Sequence, residues 1–184
     1  MSIRYSILGF LSWKPFTGYE LKKIFANTLS FHWSGNNNQI YGTLIQLHKD
    51  GATTIEVQQQ EKLPARKVYT ITSKGRDELH AWLLSEPELP VVRDAFVARL
   101  AWASILDPGE MDSLLSTYAA QLEAHVLMYQ EKRRRETLSP SRTPREAALW
   151  ESIDAHAIDF YKSQLLWLRE LKLGLDAIGI GNAE

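Results

Sequence analysis

Two short β-branched runs, in a chain otherwise patterned for helices, restrict this fold more than any other feature. Thr53-Thr54-Ile55-Glu56-Val57-Gln58 and Lys67-Val68-Tyr69-Thr70-Ile71-Thr72 alternate with period two and flank a polar, proline-containing connection, Gln59 to Ala65. They predict a β-hairpin. Arg66 and Lys67 fall near its tip, where a wing can meet phosphate or enter a minor groove.

What precedes the hairpin reads as three short helices. Ile3 to Trp13 carries an apolar stripe (Ile3, Ile7, Leu8, Phe10, Leu11) and is broken at Lys14-Pro15-Phe16-Thr17-Gly18, since Pro15 disfavours helix at the residue before it. Thr17 or Gly18 opens a second helix, Tyr19 to about Thr28, with Leu21, Ile24 and Phe25 inward and Lys22 and Lys23 outward. A polar turn region with Phe31 and Trp33 leads to a third helix over Asn36–Gly51. Its Ile40, Leu44 and Leu47 recur at i, i+4, i+7. Ser34 to Asn38 supply capping residues and Gly51 stops the helix. Asn38, Gln39, Gly42, Gln46 and Lys49 occupy the opposite face, which is almost free of acid. After the hairpin, Ser73 caps a further helix through Leu79, Trp82 and Leu83. Helix–helix–helix–hairpin–helix is the layout of a winged helix-turn-helix. On that layout Asn37, Asn38, Gln39, Tyr41 and Thr43 enter the major groove, because amides and hydroxyls match base edges. Lys22, Lys23, Arg66 and Lys67 meet phosphates.

The charge distribution agrees. Residues 1–85 hold ten Lys/Arg against six Asp/Glu, and the remainder eleven against sixteen, so a net charge of −1 conceals a basic first half. The chain has no cysteine, which excludes disulfides, thiol nucleophiles and Cys-ligated zinc. Its five histidines show no ligand spacing and no catalytic constellation emerges, so neither a metal, a cofactor nor an enzymatic activity is expected. No run of about 18 apolar residues exists and the N-terminus lacks a secretory signal's apolar core, which makes the cytoplasm the expected location.

Ser85-Glu86-Pro87-Glu88-Leu89-Pro90 is the clearest linker, and an all-helical region follows. Arg93 to Leu106 places Phe96, Val97, Leu100 and Ala103 on one side of a helix. Asp107-Pro108-Gly109-Glu110 supplies an N-cap, a first-turn proline and an acid three residues on. The helix it opens carries Met111, Leu115, Tyr118, Leu122 and Tyr129 and ends in Lys132-Arg133-Arg134-Arg135, cations suited to a helix C-terminus. Thr143-Pro144-Arg145-Glu146 repeats the opening grammar for a last helix to about Leu175, roughly 48 Å long at 1.5 Å per residue. Two long antiparallel helices with wide apolar faces call for a partner, and a second copy of the chain is the economical one. A dimer also sets two reading helices about one DNA turn apart.

Ile7-Leu8-Gly9-Phe10-Leu11, Thr17-Gly18-Tyr19-Glu20-Leu21-Lys22-Lys23, Phe31-His32-Trp33-Ser34, Gln39-Ile40-Tyr41-Gly42-Thr43-Leu44, Leu47-His48-Lys49-Asp50-Gly51, Arg66-Lys67-Val68-Tyr69-Thr70-Ile71-Thr72 and Gly75 follow one another within the first 85 residues. In that order and spacing they resemble the PadR family of bacterial transcriptional regulators. The longer C-terminal region resembles the subfamily with an extended helical dimerisation domain. Two positions depart from the pattern: Gly42 stands where the family usually has proline, and Lys62-Leu63-Pro64-Ala65 stands where the wing tip is usually Gly-Arg-Pro. The resemblance implies transcriptional repression, dimeric binding of a double-stranded DNA operator and, often, release by a small molecule. Of six tryptophans, Trp102, Trp150 and Trp167 are candidates to stack a flat aromatic effector.

These readings define a mainly α chain with a small β-hairpin. Residues 1–85 form a winged helix-turn-helix that binds DNA, and 86–184 form antiparallel long helices for dimerisation and effector binding. The alternative is a winged-helix module that binds protein rather than DNA, in which Lys22, Lys23, Arg66 and Lys67 are dispensable.

Overall fold

The computed structural model describes residues 3–27, 37–59, 65–90, 94–135 and 141–181. They fall into two compact units, Met1–Glu88 and Leu89–Glu184. The expected turn carrying Phe31 and Trp33, the capping residues before Asn37, and Lys62, Leu63 and Pro64 of the wing tip lie outside the described residues.

In the first unit, α1 (Ile3–Trp13), β1 (Phe16–Thr17), α2 (Gly18–Asn27) and α3 (Asn37–Lys49) precede β2 (Thr53–Gln58), β3 (Arg66–Ile71) and α4 (Ser73–Leu83). Ile7, Leu8, Leu11, Leu21, Ile40, Leu44 and Leu47 lose essentially all contact with solvent, so the apolar stripes of the first three helices meet in one core. The strands pair antiparallel, with Thr53 opposite Ile71 and Gln58 opposite Arg66. The sheet nevertheless has three strands in the order β1-β3-β2. The residues read as a helix break are the third strand: Phe16 pairs with Tyr69 and Thr17 with Val68. A two-residue strand is too short to show alternation, and what fixes it is Phe16 buried beside Trp13, ring centres 5.8 Å apart.

One further detail differs from expectation: Thr72, rather than Ser73, caps α4, and its Oγ1 accepts the Gly75 N–H at 3.1 Å. Trp82 and Leu83 are 41% and 65% exposed, Trp82 lying flat against Tyr5 with centroids 4.7 Å apart.

The second unit contains α5 (Ala95–Leu100), a single 3-10 turn (Ala103–Ile105), α6 (Pro108–Arg135) and α7 (Pro144–Gly181). The helix expected over Arg93–Leu106 is thus one short helix and a turn. Asp94 caps it by accepting from Phe96 N and Val97 N at 2.8 and 3.2 Å. Leu106 is already extended, and Pro108 disfavours helix at Asp107. Phe96 and Ala103 are buried, whereas Val97 is exposed. Asp107 and Glu110 form a reciprocal capping box at 2.8 and 3.0 Å, and Thr143 Oγ1 accepts the Glu146 N–H at 3.1 Å. α6 and α7 run antiparallel. Lys172 near the end of α7 pairs with Asp112 near the start of α6, and Arg133 reaches back to Glu151 at 3.3 Å. Their core is Phe96, Leu115, Leu122 and Leu168, with Tyr118 stacked on Phe96 at 3.6 Å. Burial, with Tyr161 beside it, pushes the Tyr129 hydroxyl up to about 12. Among the described residues no helix is long and apolar enough to cross a membrane, and no His/Cys/Asp/Glu group could hold a metal.

Candidate nucleic-acid interface

The position of α3 is determined at both ends. At its C-terminus, Gly51 adopts φ +74°, a conformation that favours glycine. Gly51 N–H and Ala52 N–H then donate back to His48 O and Leu47 O at 3.0 and 2.9 Å. The start of α4 closes on this cap. Thr72 donates from N to Ala52 O at 3.0 Å and from Oγ1 to Gly51 O at 2.8 Å, and Lys74 Nζ donates to Asp50 O at 2.6 Å. Gly75 permits the approach, because a Cβ there would lie 2.3 Å from Ala52 O. Arg4 of α1 completes the clamp, forking onto Glu78 of α4 and donating to Asp50 at 2.7 Å. Arg4 holds both carboxyls below their ordinary values, and its guanidinium is raised chiefly by the Glu78 hydrogen bond. One cation therefore joins α1 and α4 to the turn that ends α3.

Near the start of α3, the Tyr41 ring lies over Gly18 so closely that a Cβ on Gly18 would sit 2.4 Å from it. Gly18 lies inside a capping box in which Glu20 accepts from Thr17 N and Oγ1 at 2.7 and 2.8 Å. Those bonds, the backbone one first, draw the Glu20 carboxyl below its ordinary value, with Arg66 and Lys14 contributing. The Thr-x-x-Glu spacing was available in the sequence as a signal for this helix start.

Outward from the core, α3 presents Asn38, Gly42, Ile45 and Lys49 along one ridge at four-, three- and four-residue steps, all exposed. Gln39 and Gln46 border it on one side, Tyr41 and His48 on the other. No acid lies between Asn38 and Lys49, and Asp50 is turned to Arg4 and Gln46. Of the proposed readers, Asn38 and Gln39 are exposed, Tyr41 is 42% exposed and Thr43 is half-buried beside the core face. Only the backbone of Asn37, the first residue of α3, is described. Sequence periodicity did not single out Ile45, although it is 51% exposed in the middle of this ridge.

The cations flank the helix on separate elements. Lys23 is exposed with Nζ 4.9 Å over the Tyr19 ring, and Lys22 is half-buried. Arg66 and Lys67 are both exposed on β3, and Arg66 Nε donates to Gln58 across the hairpin at 2.8 Å. Arg66 therefore ties the two strands together while remaining open to solvent.

The three tryptophans do not converge. Trp102 is 77% exposed ahead of the 3-10 turn. Trp150 and Trp167 are half-buried on α7 and separated by seventeen residues, roughly 25 Å of helix. Trp167 lies edge-on to Phe96, ring centroids 6.3 Å apart.

Comparison with known proteins follows this division. Residues 7–81 match the transcriptional regulator PadR-like family, and residues 92–175 match the virulence activator alpha C-terminal family. The negative transcriptional regulator PadR of Bacillus subtilis is 31% identical over 125 residues, which are 67% of this chain and 69% of that one. The crystal structure of Bacillus subtilis PadR in complex with operator DNA superposes with a TM-score of 0.80 at 26% identity, covering 92% of this chain and 96% of that one. The same protein in complex with p-coumaric acid superposes with a TM-score of 0.77 at 25% identity, covering 95% of each.

Proposed function

The chain belongs to the PadR-like family of transcriptional regulators, and from that premise we propose that it is a repressor acting as a homodimer on an operator. Each protomer lays α3 into the major groove, with Asn37, Asn38, Gln39, Tyr41 and Thr43 at the base edges. Lys22, Lys23, Arg66 and Lys67 hold the flanking phosphates, and the hairpin reaches toward a minor groove. Such a protein is a regulator, not an enzyme.

The observation that carries this reading is the outward ridge of α3. It is exposed and free of acid, and the C-terminal end of the helix is held in place by Arg4, Thr72 and the close approach at Gly75. Residues 1–88 thus serve as the DNA reader, and the helices of the second unit pair two protomers. The relative solved with p-coumaric acid supports a small aromatic effector for this chain as well. Trp102, Trp150 and Trp167 are the side chains that would stack it, Trp167 lying edge-on to Phe96.

The test is a salt series with DNA from the chain's own upstream region, followed by fluorescence anisotropy. Affinity should fall steeply with salt. Changing Lys22, Lys23, Arg66 and Lys67 to Ala should flatten log K against log salt by about one unit per lost phosphate contact. Binding without salt dependence, or a slope unchanged in the fourfold variant, would overturn the assignment.

A further inference from the structure

The proposed reading of α3 gives no task to Ile45 and Gly42, two of the four residues on its outward ridge. Ile45 is half exposed in the middle of the ridge and faces away from Ile40, Leu44 and Leu47, the residues that build the core. Gly42 precedes it by three residues on the same ridge. A Cβ at Gly42 would meet nothing within 4 Å, and the residue is not among those with positive φ. Neither internal packing nor backbone conformation therefore requires glycine there. Glycine and a β-branched residue both weaken a helix relative to alanine. Two such choices side by side on a solvent face point outward, to something the helix docks against.

Thymine is the base that places an apolar group, its C5-methyl, in the major groove. Asn38 and Gln39 offer the paired donor and acceptor that match adenine. They lie about 10 Å from Ile45 along the helix axis, a distance of roughly three base steps. We propose that Ile45 reads the C5-methyl of a thymine in each half-site, and that the notch over Gly42 lets the helix approach closely enough for that contact. The inference rests on α3 docking in the major groove. It makes Ile45 a specificity-determining residue and assigns the operator a required thymine roughly three base steps from the adenine that the amide pair reads.

The experiment uses the full chain and a duplex recovered by selection from a random pool, with each thymine replaced in turn by deoxyuridine, which removes the methyl group and nothing else. Wild-type affinity should fall roughly four-fold at one thymine per half-site, the burial of one methyl group. Ile45→Ala should bind the thymine duplex about as weakly and lose nothing further at that position. Gly42→Ala should raise the melting midpoint, because alanine favours the helix and meets no neighbour, yet bind the selected duplex more weakly. The methyl reader is overturned if every deoxyuridine duplex binds the wild type as the thymine duplex does, or if Ile45→Ala keeps the full methyl dependence. Undiminished binding by Gly42→Ala removes the notch. Gln39→Ala separates these failures from that of the underlying reading: a changed sequence preference keeps α3 in the groove, and an unchanged one removes it.

Discussion

Three glycines in the first unit are glycine for three different reasons. Gly51 needs its positive φ to end α3, and Gly42 leaves open space on the outer ridge. Gly18 is small because the Tyr41 ring occupies the place of a side chain. Gly18→Ala should therefore push Tyr41 off its seat and cost roughly 1–3 kcal/mol, read as a lowered urea midpoint. In a Tyr41→Ala background the same change should cost little, because the obstructing ring is gone and alanine favours the helix. A coupling below about 0.5 kcal/mol in that double-mutant cycle would show that the contact does not constrain the helices. The sequence marks Gly51 by its place after a helix and Gly42 by its departure from the family pattern. Gly18 carries no such mark, since its partner lies twenty-three residues away and the reason for it exists only once α2 and α3 have packed.

Elements show the same division between local and long-range signals. α3 and the hairpin were legible because Ile40, Leu44 and Leu47 keep helical period and Thr53–Gln58 keeps strand period in the sequence, and both elements form, although Val57 near the strand end is exposed. β1 and the broken helix around Trp102 were not, because a two-residue strand and a 3-10 turn carry no periodicity. The Arg4 clamp was equally hidden: an arginine, an aspartate and a glutamate 46 and 74 residues from it share no local motif. Its energetics can be tested through pH. Arg4 holds the Glu78 and Asp50 carboxyls below their ordinary values. Such groups contribute stability above their unfolded values and lose it as pH falls through the folded ones. At neutral pH, Arg4→Ala should therefore lose about 1–2 kcal/mol from the Arg4–Glu78 fork. The gap to the wild type should narrow as pH falls below 4.5, the ordinary value for Glu78. Urea midpoints at pH 7 and pH 3.5 would measure it, and a gap that persists undiminished in acid would assign the loss to Arg4 packing rather than to charge.

At the scale of the whole molecule, the proposed dimer would duplicate the proposed reading helix, and α7 carries an apolar surface suited to that pairing. On α7, Leu149, Ile153 and Phe160 are 56%, 41% and 46% exposed and share one face at four- and seven-residue spacing. Leu168 is buried elsewhere on the helix, in the cluster with Phe96, Leu115 and Leu122. One protomer thus satisfies part of the helix and leaves an apolar stripe that a second copy would cover. Ile153→Asp combined with Phe160→Asp should keep the helical content, because neither side chain is buried within its own chain. It should shift sedimentation from dimer to monomer and weaken operator binding by about 100-fold or more through loss of bivalency. Leu168→Ala should behave oppositely, lowering the melting midpoint by removing roughly 2–5 kcal/mol of core packing while the remaining folded protein stays dimeric. A double variant that remains a dimer with undiminished affinity would place the partner surface elsewhere on the chain.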